Sequence, residues 1–214
     1  MKDIKRTCTD CSTYNCASRT KNFPKFCLTE NLDEKIFRDS FDLYKNDECV
    51  SKVAIASAEV EGQYYGKITR VEEIILFAKK IGARKIGIAT CMGLIEESKI
   101  FAKILQAKGL ENYSVICKVG GIDKSEIGIA EEDKVCEGQY EAICNPIAQA
   151  KILNLEKTDL NVIVGLCVGH DSLFIKYSEA LVTTLITKDR VLAHNPAGAL
   201  YASCSYYSKL LKEE

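Results

Sequence analysis

The chain has almost no net charge. Twenty-nine basic residues meet 30 acidic ones for a net of -1, so no global field draws it to nucleic acid or to an anionic membrane. Long apolar runs are also missing, none approaching the ~20 residues that cross a bilayer. The opening Met1-Lys-Asp-Ile-Lys-Arg-Thr7 has no apolar stretch of the kind a signal peptide carries. A cytoplasmic protein is therefore expected, with neither nucleic acid nor membrane as partner. No Gly-x-x-x-x-Gly-Lys-Ser/Thr and no Gly-x-Gly-x-x-Gly occurs, which leaves a nucleotide-dependent reading little support. A nucleophile elbow and its serine-type triad are absent too, as is any recognisable DNA-reading module. Histidine is scarce, with only His170 and His194.

Cysteine is abundant instead, at 11 in 214 residues. In a reducing compartment such a number points to metal binding or thiol chemistry rather than to disulfides. About three or four of them are expected to be plain buried thiols, a common state for this residue. The first segment carries Cys8-x2-Cys11-x4-Cys16-x10-Cys27 among Thr, Ser, Asn and Lys, with almost no aliphatic residues. Without a core, something else must order it. Four thiolates closing on a metal can add binding free energy to folding. The spacing has one close pair where structural zinc sites commonly have two, and it reverses the plant-type ferredoxin order. Zinc and a [4Fe–4S] cluster therefore both stay open.

Hydropathic patterning gives the fold. With 47% hydrophobic residues the chain can bury a proper core. Asn31 to Asn46 reads as an amphipathic helix with Asn31 and Glu34 as a capping box, and Cys49 lies at the boundary between that helix and the rest of the chain. Strands and helices then alternate. Strands are expected at Val53–Val60, Lys85–Cys91, Tyr113–Val119, Asn161–Cys167 and Leu181–Thr187, and a closing helix at Ala197–Leu211. Ser125–Ala142 is polar and irregular, an insertion. Asn145-Pro146 opens a helix with proline in its first turn. The expectation is an α/β protein with a Rossmann-like, mostly parallel sheet of about five strands and flanking helices. It would span residues 50–214, behind a small cysteine-rich metal module and helix at 1–49.

Within that sheet Cys91 and Cys167 end strands, and Cys144 sits immediately before a helix start, where amide donors favour a thiolate. Ligands of open parallel sheets bind outside the carboxyl ends of the strands. Cys91, Cys144 and Cys167 are thus candidates for one site, either three ligands of a [4Fe–4S] cluster with one iron open to substrate or a zinc site completed by His170. The five strongly apolar residues Val162, Ile163, Val164, Leu166 and Val168 read as a buried strand that carries Cys167-Val-Gly-His-Asp171 at its carboxyl end. Lys188-Asp-Arg-Val-Leu-Ala-His194 follows the last strand, so Arg190 can orient an anionic ligand and His170, Asp171 and His194 can serve proton transfer. A salt bridge from Asp189 to Lys or Arg is the competing account. Cys117, Cys136 and Cys204 have no comparable context.

Cys8-x2-Cys11-x4-Cys16, Ala89-Thr-Cys-Met-Gly93, Cys144-Asn-Pro-Ile-Ala-Gln-Ala150, Gly165-Leu-Cys-Val-Gly-His-Asp171, Lys188-Asp-Arg-Val191 and His194-Asn-Pro196 together give a resemblance. The chain resembles the uncharacterised cysteine-rich metal-binding proteins, domain of unknown function 1847, found mostly in anaerobic bacteria and archaea. The resemblance implies metal binding and brings no reaction. It also implies that these thiol and histidine positions belong to the family pattern, and an anaerobic distribution favours iron–sulfur chemistry over zinc. The leading expectation is a metalloprotein with an N-terminal four-cysteine site and a second, three-cysteine site acting on a small sulfur-containing or anionic substrate or serving a redox partner. A zinc-stabilised thiol or redox protein and a non-enzymatic metal or redox sensor are the alternatives.

Overall fold

Four segments have the composition of strands in a covered sheet: β1 (Lys85–Thr90), β2 (Glu111–Ile116), β3 (Leu160–Val164) and β4 (Leu181–Ile186). In the computed structural model, which describes residues 5–18 and 20–213, they form one parallel sheet in the order β2-β1-β3-β4. Burial follows that order. β3 is buried throughout and β1 at every residue but its first, whereas β2 and β4 hold the edges and keep partly exposed side chains. Continuous apolar runs suit the middle of a parallel sheet, where both faces are covered.

The helices are α1 (Leu28–Asn31), α2 (Glu34–Asn46), α3 (Glu48–Tyr64), α4 (Arg70–Lys80), α5 (Ile95–Ala107), α6 (Pro146–Leu155), α7 (His170–Tyr177) and α8 (Ala197–Tyr201). On one face of the sheet Ile86, Ile88, Leu160, Val162 and Val164 pack with Ile74 and Ile75 of α4 and Phe101 and Leu105 of α5. On the other, Ala89, Val115 and Ile163 pack with Ala150 and Leu153 of α6 and Phe174 of α7. The alternation along each strand sends successive side chains into opposite layers, giving an α/β/α sandwich. Gly87 is required where β1 meets β3, since a Cβ there would lie 2.0 Å from Asn161 Oδ1. That amide is fully buried and committed, accepting from Thr158 Oγ1 and donating to Ser178 Oγ, each at 2.7 Å.

The α/β, parallel-sheet expectation holds, with four strands where about five were expected. Val53–Val60 is not a strand; it lies inside α3. Its alternation of Val and Ile with alanine looks like period two, yet the buried residues are Ala56 and Val60, one helical turn apart, and alanine is the strongest helix former. The Asn31/Glu34 capping box is also replaced. Asp33 is the N-cap of α2, accepting from the Lys35 amide at 2.9 Å, while the Asn31 side chain donates to the carbonyls of Lys25 and Cys27. The closing helix stops at Tyr201, and among the described residues a single 3-10 turn, Ser208–Leu211, comes after it. Residues 125–142 are irregular as expected, pinned by a bridge between Asp123 and Ala142 and by Lys134 in ion pairs with Asp123 and Glu131.

The chain divides into two compact units, Met1–Ala58 and Glu59–Glu214, the division falling inside α3. The sheet and both apolar layers belong to the second. In the first, Ala56 is the single buried hydrophobic side chain among the described residues. Cys8 and Cys16 are exposed and Cys11 and Cys27 half-buried, on 3-10 turns and loops preceding α1. No helix among the described residues is long and apolar enough to cross a membrane.

Candidate functional site at the carboxyl edge of the sheet

β1 and β3 are neighbours, but the chain leaves β1 toward α5 and β2, and leaves β3 toward α7 and β4 on the other side. Connections that part in this way open a crevice outside the carboxyl ends of the two strands. Thiols from four segments stand at that edge. Cys91 follows β1 directly, and Cys117 follows β2 directly. Cys167 lies in the turn between β3 and α7, and Cys144 precedes Asn145, the residue that caps α6. Gly165 allows the turn after β3. Its φ is +69°, and a Cβ there would lie 1.9 Å from Leu94 Cδ1.

Cys117 stitches this edge together. Its amide donates to the Thr90 carbonyl (2.8 Å), its carbonyl accepts from the Asn145 amide (2.7 Å), and its sulfur accepts from the Met92 amide (3.3 Å). One residue thus holds both sides of Cys91 and the residue after Cys144. It is itself 2% exposed, while Cys91, Cys144 and Cys167 are half-buried.

The electrostatics favour thiolates at the accessible positions. A hydrogen bond from Cys117 pulls Cys91 down to about 5 against its burial, with help from the Gly93 amide and the Lys188 charge. Cys144 is held down at about 6, again first by Cys117 and then by the charges of Lys118 and His170. Cys117 is pushed strongly up because it serves Cys144 and Cys91 as a donor and is buried. Its single S–H can face only one of them at a time. Arg190 donates from a terminal guanidinium nitrogen to Cys167 Sγ at 3.1 Å. Its own pKa is raised, first by that bond and the Cys167 charge and further by Cys91 and Cys144.

The structure therefore brings together Cys91, Cys144, Cys167, Arg190 and His170. Asp171 and His194 take other places. Asp171 lies in the first turn of α7, and its carboxylate accepts from the Ser172 amide at 2.8 Å. His194 Nδ1 accepts from the Asp189 amide at 3.2 Å, and the ring lines an open cleft of about 530 Å³ with Arg70, Glu97, Thr184 and Thr187. The Asp189 carboxylate caps its own loop, accepting from the amides of Val191 and Leu192, in place of the salt bridge weighed from the sequence. Cys117, Lys118 and Lys188 are additions to the sequence reading. The sequence puts Cys117 inside the expected strand Tyr113–Val119, whereas β2 ends at Ile116 and leaves it just past the carboxyl end, as Cys91 is past that of β1.

Among the N-terminal cysteines, the pKa of Cys11 is lowered, first by the Tyr14 amide and then by the hydroxyl and amide of Thr13. Amide donors aimed at a sulfur suit a metal-bound thiolate. By donor chemistry both cysteine sets fit a soft metal. By position they are not drawn in around one: among the described residues no three His, Cys, Asp or Glu side chains are grouped so as to hold a metal ion.

Comparison with known proteins gives two matches. Residues 27–185 match a family described as Protein of unknown function (DUF1847). An uncharacterised protein of Methanocaldococcus jannaschii is 53% identical over 190 residues, covering 88% of this chain and 95% of its own. No solved structure matches.

Proposed function

The chain belongs to the DUF1847 family, whose function is unknown, and from the site we propose a metal-binding protein with an iron–sulfur centre at the sheet edge. Cys91, Cys144 and Cys167 are its ligands, and the N-terminal Cys8, Cys11, Cys16 and Cys27 form a second, structural or electron-transferring site. The observation that carries this reading is the gathering of thiols from distant segments beside Lys118, Lys188 and Arg190, cations that offset the charge of a thiolate set. A bound cluster would supply one-electron transfer or an iron open to a small substrate. Arg190 would orient that substrate or a redox partner's anionic group, and His170 would move protons beside Cys144.

Anaerobic purification followed by iron and sulfide analysis and absorption spectra tests the proposal. Iron and acid-labile sulfide in equal amounts, reduced in Cys91→Ser and again in Cys11→Ser, are expected. A colourless protein free of both overturns it. The adjacency of Cys91 and Cys117 favours a second reading, a zinc-stabilised protein whose sheet-edge thiols act without a cluster. About one zinc per chain, kept in Cys91→Ser and lost in Cys11→Ser, would select that reading.

A further inference from the structure

We propose that Cys91 and Cys117 are a redox-active pair, Cys91 attacking a small disulfide and Cys117 resolving the adduct into an internal disulfide. The inference rests on the sheet-edge site proposed as the metal centre and gives it a reaction. The last register pair of β1 and β2 is Thr90 with Ile116, so the next position pairs Cys91 with Cys117. The Cys117 amide bonded to the Thr90 carbonyl shows the ladder running on. Adjacent strands lie about 4.8 Å apart, inside the roughly 4.4–6.8 Å that a disulfide spans between Cα atoms. Both side chains lie on one face, packed into the layer of Ala89 and Val115.

Accessibility divides the roles. Cys91 is half-buried beside Met92, which is 55% exposed, whereas Cys117 is 2% exposed. An outside disulfide reaches only the former. The Cys91 thiolate attacks one sulfur of R–S–S–R, the S–S bond breaks, and one R–S⁻ leaves with a mixed disulfide on Cys91. Cys117 passes its proton to Cys144, which packs against the same buried cluster. It then attacks Cys91 Sγ and expels the second R–S⁻. Two protein thiols are oxidised by two electrons and one disulfide is reduced to two thiols. The proton lost when Cys91 ionised and the one relayed by Cys144 end on the two leaving groups. Cys91 is also a ligand in the metal reading, so this oxidation withdraws one donor from the metal.

The test uses full-length protein stripped of metal by a chelator, freed of reductant and treated with oxidised glutathione. Trypsin releases Cys91 in peptide 86–99 and Cys117 in peptide 109–118, each with no other cysteine. Expected is a linked 86–99/109–118 pair that dithiothreitol separates. Cys117→Ser should stop at a glutathione adduct on 86–99, and a separate sample of this variant, purified anaerobically without chelator, should hold the wild-type metal content. No link in the wild type, a link from Cys91 to Cys144 or Cys167, or metal lost in Cys117→Ser overturns the pair. The wild-type map needs no variant to fold. An unlinked map in a protein that holds iron removes this inference alone. A linked map in a protein that never takes metal removes the iron–sulfur reading and leaves the pair standing.

Discussion

Cys91 owes its lowered pKa first to Cys117, a neighbour whose role the local pattern does not reveal. The thiolate is the nucleophile, so alkylation accelerates as pH rises through the thiol's pKa and levels off above it. In metal-free protein, iodoacetamide labelling of Cys91 should reach half its plateau rate near pH 5, since the group is held at about 5 against an ordinary 9.0. Cys117→Ala removes the largest cause and should move that midpoint upward. Peptide mass spectrometry of 86–99 across a pH series reads both. A wild-type midpoint near the ordinary value would refute the hydrogen-bonded arrangement. At this scale the sequence was half legible. Cys91, Cys144 and Cys167 could be placed by their positions at strand ends and a helix start. The setting of Cys117 depends on which strand lies beside β1, and strand order is not written in local pattern.

The start of α6 shows how an element places a reactive group. Asn145 Oδ1 accepts the Ala148 amide at 3.0 Å and Pro146 occupies the first turn, so this helix end is fixed by residues adjoining Cys144. Asn145→Ala should lower stability by about 1 kcal/mol, the usual cost of losing an N-cap. Asn145→Asp should restore most of it, as read from denaturant midpoints, and an unchanged midpoint in the alanine variant would discount the cap. This helix start was legible because proline and an Asx cap act locally. So were β1 and β3, whose apolar runs need no partner to be recognised. α3 was not, because alanine interleaved with Val and Ile satisfies both periods and only tertiary burial of Ala56 and Val60 decides. The final segment misled in the opposite direction. Gly198 and the short polar run Ser203-Cys-Ser205 interrupt its apolar residues, and helix ends at Tyr201.

For the whole molecule, the contrast between its two units matters most. Glu59–Glu214 owns both apolar layers, while Met1–Ala58 buries one alanine among its described hydrophobic residues. A unit so poor in core needs a staple. If its four cysteines bind metal, chelation should expose it first. Trypsin should then cut after Lys21 or Lys25 within minutes while the sheet-bearing unit persists, as read on gels and by mass spectrometry. Equal resistance with and without chelator would show that the N-terminal cysteines contribute no metal to its order.

The strand order also sets a sequence of events on the ribosome. β1, α5 and β2 are contiguous in the chain, so Cys91 and Cys117 can meet as soon as that short stretch has emerged. β3, which flanks β1 on its other side, and the segment bearing Arg190 are synthesised later. A nascent chain stalled before residue 160 would thus present two neighbouring thiols with neither Cys167 nor Arg190 yet made, a window in which oxidants reach the pair before the site is complete.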